Sequence, residues 1–256
     1  MLSAIQIFRY EHGIKESLDF NSVTVDTDQD KKFLEHFVVE FLEACAYRNN
    51  YEYEITDDFS VNIKAFLTVD NETWPKESIP FKINKLEGSL LMNRTPIKSL
   101  DFMPNEITGS LSIIGCPNIT EINELPEITG RQMLKGFIDI ERNKNLKSIH
   151  LNNMSARKLM ITHNKNLTDI ILDYYETGYL KIQGNDNLRK IERFPVCLNG
   201  SVILYNNKNL EDITAINDAE RIEKTVYIAN TKIDTNTLSD YVRRKINTTT
   251  TKSVTR

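Results

Sequence analysis

The sequence predicts an α+β chain in three parts. A small α+β cap occupies residues 1–85, a β-rich solenoid of about seven coils occupies 86–235, and a short capping helix with a tail occupies 236–256. Three observations predict this. One apolar pattern recurs seven times after residue 85; a single amphipathic stripe precedes it; and a second, shorter apolar stripe follows it. Recurrence at such a period marks a solenoid, whose coils bury their apolar side chains only by stacking on one another.

Within the cap, Ala4 to Tyr10 reads as a strand. Asp28 to Asn49 reads as a helix with Phe33, Leu34, Phe37, Val38, Phe41, Leu42 and Cys45 along one stripe. Tyr51 to Ile55 and Ser60 to Val69 read as two further strands.

The repeat opens on an apolar residue at Leu90, Leu111, Ile138, Leu159, Leu180, Val202 and Val226, in steps of 21, 27, 21, 21, 22 and 24 residues. A second apolar residue follows two places later, at Met92, Ile113, Ile140, Ile161, Ile182, Leu204 and Ile228. Spacing by two puts both on one face of a strand. Three places further stand Thr95, Cys116, Asn143, Asn164, Asn185, Asn207 and Thr231. The chain leaves the strand there, and its backbone cannot pair with itself. A side-chain amide carries donors and an acceptor, so a column of asparagines satisfies those groups from coil to coil. The last apolar positions are Ile97, Ile119, Leu146, Leu167, Leu188, Leu210 and Ile233.

Over about residues 86–235 this pattern resembles the leucine-rich repeat, L-x-x-L-x-L-x-x-N-x-L. Its N-x-N-L form is similar to the degenerate repeats of receptor L-domains and of bacterial and phage proteins. The long-helix signature of the ribonuclease-inhibitor class is absent. Pro104 to Gly109, Pro126 to Gly130 and Pro195 to Gly200 suit an extended or 3₁₀ return path instead. A closed β-helix is the rival architecture. At the end of the chain, Thr235 to Asn247 reads as a helix. Its Leu238, Tyr241, Val242 and Ile246 would close the last coil, and residues 248–256 read as a disordered tail.

Composition narrows the function. Three widely spaced cysteines, Cys45, Cys116 and Cys197, argue against the disulfide caps of receptor L-domains. No secretory or membrane-spanning segment is evident, so a cytoplasmic protein with reduced thiols is expected. The Asn-x-Ser/Thr triplets at Asn118, Asn153 and Asn166 then carry no glycan. Residues 1–85 hold 16 acidic and 9 basic residues, a balance of −7; the remainder holds 20 and 23, a balance of +3. No dense basic stripe appears, which speaks against nucleic acid. The richness in Ile, Asn and Lys suggests an AT-rich genome, such as that of a low-GC bacterium or its phage.

Catalytic and metal motifs are missing. There is no phosphate loop, no His-Glu-x-x-His and no Cys-x-x-Cys, so neither cofactor nor metal is expected. His12, His36, His150 and His163 are scattered. His36 and Cys45 stand two and a half helical turns apart, about 13 Å along the axis, too far for a nucleophile and its base. The leucine-rich ubiquitin-ligase effectors of bacteria carry a catalytic domain after their repeats, and only about twenty residues follow the last repeat here.

Function therefore falls to the residues between the repeated ones. Phe137, Met160, Tyr179, Ile203, Tyr205 and Tyr227 project outward from successive strands, with Asp139, Glu141, Lys158 and Lys181 bordering them. Aromatic anchors with a charged rim describe a protein-binding surface. Tyrosine is also a good strand former, and the cap or a second copy is another candidate cover for this face. The expectation is a non-enzymatic protein-interaction module, an accessory or host-modulating factor. The alternatives are an enzymatic or nucleic-acid-handling unit in residues 1–85 targeted by the repeats, and a self-associating structural component.

Overall fold

A computed structural model describes residues 27–129, 136–152 and 155–248. The expected strand Ala4–Tyr10 and residues 249–256 of the expected tail lie outside them.

The described chain begins with α1 (Thr27–Cys45), β1 (Ala46–Ile55) and β2 (Val61–Asp70). Leu34, Val38, Phe41, Leu42 and Cys45 of the α1 stripe are buried. Phe41 meets Trp74 and Phe81 edge to face, at 5.2 and 5.5 Å between ring centres, and closes the first coil. The helix stops at Cys45, not Asn49, because Ala46 already pairs with Leu67 of β2. A bulge with Arg48 and Asn49 at positive φ then carries β1 on to its main register, Tyr51 to Ile55 against Ala65 to Val61.

The coils follow. β3 (Ile83–Asn93), β4 (Glu106–Ile107), β5 (Leu111–Ile114), β6 (Glu121–Ile122) and β7 (Glu127–Ile128) lead to β8 (Phe137–Glu141). Next come β9 (Ser148–Asn152), β10 (Ser155–Thr162), β11 (Asp169–Asp173), β12 (Glu176–Gln183) and β13 (Lys190–Arg193). The last are β14 (Cys197–Leu198), β15 (Val202–Tyr205), β16 (Arg221–Ile222), β17 (Val226–Ala229), α2 (Asp240–Arg243) and β18 (Ile246–Asn247).

They stack as a β-solenoid of about eight turns. The main sheet runs β1-β2-β3-β5-β8-β10-β12-β15-β17-β18, parallel from β2 onward. A second parallel wall has the order β13-β11-β9-β6. The core lies between the walls. Leu159, Ile161, Leu180 and Ile182 face it from one side; Ile149, Leu151, Ile170 and Leu172 face it from the other. The return segments after Pro104, Pro126 and Pro195 contain the short extended strands β4, β7 and β14. A 3₁₀ turn, Thr214–Asp218, precedes β16.

β2 adds a coil upstream of the seven expected. Leu67 and Val69 stand beside Leu90 and Met92 in register and are equally buried. The repeat is hidden there because its ladder position is Glu72, which is exposed. Beyond this coil on the same sheet stands only antiparallel β1, so no preceding parallel coil needs an amide.

The asparagine ladder forms throughout the middle coils. Each Oδ1 accepts the backbone N–H of the ladder residue in the preceding coil: Cys116 to Asn143 at 2.8 Å, Asn143 to Asn164 and Asn164 to Asn185 at 2.9 Å, Asn185 to Asn207 at 3.0 Å. Each Nδ2 donates to a strand carbonyl of that same preceding coil: Ile113, Ile140, Ile161 and Ile182, at 2.8–3.0 Å. All four asparagines are fully buried.

Two further columns are structural. The residue before each ladder position has positive φ: Arg94, Gly115, Arg142, His163, Gly184, Asn206 and Asn230. Two places before the first apolar residue stand Gly88, Gly109, Gly136, Gly178 and Gly200, each with its Cα pressed against the backbone of the preceding coil.

At the C-terminal end the structure departs from a helix over Thr235–Asn247. A 3₁₀ turn, Thr235–Thr237, is capped by Asp234, and the four-residue α2 is capped by Ser239. Extended Leu238 separates them, and the chain then pairs with β17 as β18. Two separate caps and a buried extended leucine leave too few residues for a stable helix. Leu238 and Val242 nevertheless cover the last coil. Tyr241 is largely exposed and accepts the Ile222 N–H through its hydroxyl. Among the described residues no helix is long and apolar enough to cross a membrane.

Candidate interaction surface

Parallel pairing turns the outward residues of the main strands into columns. Phe137, Lys158 and Tyr179 are register partners in one column. Asp139, Met160, Lys181, Ile203 and Tyr227 make the second. Glu141, Thr162, Gln183, Tyr205 and Ala229 make the third. All ten candidate residues thus share one face. Adjacent coils are about 4.8 Å apart, so column neighbours touch.

The polar residues interleave with the apolar ones instead of surrounding them. Lys158 lies between Phe137 and Tyr179, with its Nζ 5.5 Å from the centre of the Tyr179 ring. Lys181 separates Met160 from Ile203. This placement draws each lysine stem across apolar surface while its charge stays wet. Phe137 is 39% exposed; Met160, Tyr179, Ile203, Tyr205 and Tyr227 are half-buried by their column neighbours.

Burial raises the Asp139 carboxyl above its ordinary range, and the neighbouring Glu141 adds to this; Lys158, Lys181 and Arg142 oppose it. Glu141 is held by Arg142 at 2.9 Å and lies 3.8 Å from His163 Nδ1. Burial, and the nearby Tyr205, raise the Tyr179 phenol. The face is therefore a mixed one, with two carboxylates on β8 and two lysines on β10 and β12 among the aromatic rings.

The sequence columns start one coil late. Phe66 on β2 belongs to the Phe137 column, is 46% exposed, and meets Tyr47 of β1 edge to face at 6.2 Å. Ser89 and Ser110 stand between Phe66 and Phe137. Their hydroxyls accept backbone N–H groups of the following coil. The alternation in Val61 to Val69 carries the signal for this extension, although by sequence alone Ser60 to Val69 reads as a strand of the cap.

Reactive groups are not gathered elsewhere in the described residues. His36 is exposed at the surface of α1, against Phe37. The three cysteines are free and buried. Burial pushes the Cys45 thiol up to about 12 and the Cys116 thiol up to about 11, so neither is a thiolate near neutrality. No cluster of three metal-ligating side chains occurs among the described residues. No family model, no curated protein and no solved structure matches the chain.

Proposed function

We propose that this solenoid is a non-enzymatic interaction module, and that its main-sheet face holds a protein partner. The observation that carries the reading is the register of that face. It aligns Phe137, Met160, Tyr179, Ile203, Tyr205 and Tyr227 on the side of the sheet opposite the core, where packing does not require them. Rings of this kind lose little entropy on binding, and interfaces are enriched in them. The buried, protonated thiols of Cys45 and Cys116 support a non-catalytic role, and free cysteines suit a reducing compartment. The ladder geometry supports assignment to the leucine-rich-repeat type, since one buried asparagine per coil serves the turn after the strand.

The test uses Tyr179→Ala combined with Tyr205→Ala. Both side chains stand on the outer face, so the double variant keeps the wild-type melting temperature within a few degrees. Affinity capture from the native host lysate, compared with wild type, should lose its specific partner. Unchanged capture by a folded double variant removes this face as the binding surface. A loss of dimer mass in solution, with no partner captured by wild type, assigns the face to self-association instead.

A further inference from the structure

Asn199-Gly200 is the only place in the sequence where glycine follows asparagine; every other asparagine precedes a residue with a side chain. Glycine leaves its nitrogen open to the preceding side chain, because no Cβ stands beside it. The Gly200 nitrogen, on losing its proton, can attack Asn199 Cγ, close a cyclic imide and release Nδ2 as ammonia. Water then reopens the imide at either carbonyl. One opening gives aspartate. The other gives isoaspartate, with the main chain routed through the side-chain carbons. Asparagine and water go in, aspartate or isoaspartate and ammonia come out, and no oxidant or cofactor takes part.

The fold holds both residues in place. A Cβ at residue 200 would stand 1.6 Å from the Gly178 carbonyl oxygen, so glycine is required there. Asn199 bridges the coils on either side of it. Its Nδ2 donates to Glu176 Oε2 at 3.0 Å in the preceding coil. Its Oδ1 accepts from Arg221 Nε and Nη2, at 3.1 and 2.8 Å, in the following coil. The Asn199 N–H donates to the Thr177 carbonyl at 2.9 Å. The Gly200 N–H has no acceptor among the described residues, so no hydrogen bond occupies the nucleophile.

We propose that Asn199-Gly200 is the site at which this protein ages by losing ammonia, and that the Glu176–Asn199–Arg221 bridge sets the rate. Reaction brings Cγ onto the Gly200 nitrogen. That rotation first breaks three side-chain hydrogen bonds, two of them from a guanidinium. The Arg221 side chain is 51% exposed, so solvent screens its hold and the bridge slows the reaction without abolishing it. The products undo the bridge. Aspartate keeps an acceptor for Arg221 but loses the Nδ2 donor, and it sets a second carboxylate beside Glu176. Isoaspartate adds a main-chain carbon at the corner where Gly200 presses on Gly178, two residues before β15. The strand register beyond that corner is then disturbed.

The experiment incubates the full chain in warm, mildly alkaline buffer and follows each asparagine by peptide mapping with mass spectrometry. Enzymatic methyl labelling counts the isoaspartate. In folded wild type, Asn199 should convert before any other asparagine. In guanidinium-unfolded wild type it should convert faster still. Arg221→Ala and Glu176→Ala each free one end of the amide and should speed conversion in the folded protein by about threefold to tenfold. Melting curves taken beforehand establish that these variants are folded. Asn199→Gln would need a larger ring for the same attack and should stay intact. The proposal is overturned if another asparagine converts first in the folded protein, or if folded Arg221→Ala and Glu176→Ala convert at the wild-type rate. If neither variant folds, equal rates at Asn199 in folded and unfolded wild type overturn it instead.

Discussion

Gly200→Ala should destabilise this protein by about 3 kcal/mol or more, well beyond an ordinary glycine-to-alanine change. A Cβ at residue 200 would stand 1.6 Å from the Gly178 carbonyl oxygen and 2.5 Å from its carbon. The obstacle is the backbone of the neighbouring coil, not a side chain that can rotate away. Relief requires β12 and β15 to part, and their four-residue register holds the lower coils together. Gly136→Ala should behave alike, with its Cβ 1.8 Å from the Gly109 oxygen. Gly115→Ala is the contrast. Its φ is +63°, but the nearest atom to an added Cβ is the flexible Arg94 Cγ at 3.3 Å. Arginine, histidine and asparagine already occupy that left-handed column in other coils. That variant should cost only about 1 kcal/mol. Chemical denaturation followed by circular dichroism measures all three. A Gly200→Ala loss no larger than that of Gly115→Ala would show that the coils are not in backbone contact at the corner.

Asn164→Ala should cost about 2–4 kcal/mol, because it strands two buried backbone groups of the preceding coil. The Asn143 N–H loses its acceptor and the Ile140 carbonyl loses its donor. Asn164→Asp separates the two functions. A carboxylate still accepts from Asn143 N–H, but it faces the Ile140 carbonyl with no proton to donate. The buried charge makes this variant worse than alanine at neutral pH. A buried carboxyl has its folded pKa raised above the unfolded value. Its penalty is therefore absent below the unfolded pKa and grows as pH rises through the range between the two. Stability of the aspartate variant should recover towards wild type as pH falls into the carboxylate range, while that of the alanine variant should not. Melting curves at neutral and mildly acidic pH read the difference.

The residues that repeat were legible because each has a buried job in every coil. Alternation located Leu159 with Ile161 and Leu180 with Ile182, and three further places on it located the asparagines. From that register the outward columns follow, which puts Phe137, Tyr179 and Tyr205 on one face of the sheet, where the strand pairing has them. What escaped did so for physical reasons. The corner glycines lie 21 to 42 residues apart along the chain, and their shared requirement appears only when coils stack. The β2 coil carries Glu72 where the ladder would be, so the pattern breaks although the strand pairs normally. The helix expected after Thr235 rested on four apolar residues, and two of them, Leu238 and Val242, do cap the core without requiring one long helix.

Hydrogen–deuterium exchange of four backbone amides tests the solenoid most directly. Cys116, Asn143, Asn164 and Asn185 lie just after the strands, at turns, where amides ordinarily exchange quickly. Here each donates to the side chain of an asparagine 21 to 27 residues away, in the next coil. All four should exchange as slowly as the central strand amides of β10 and β12, through opening of the stacked coils. Fast exchange at these four sites, with the strands protected, would contradict the asparagine ladder and the register of every surface built on it.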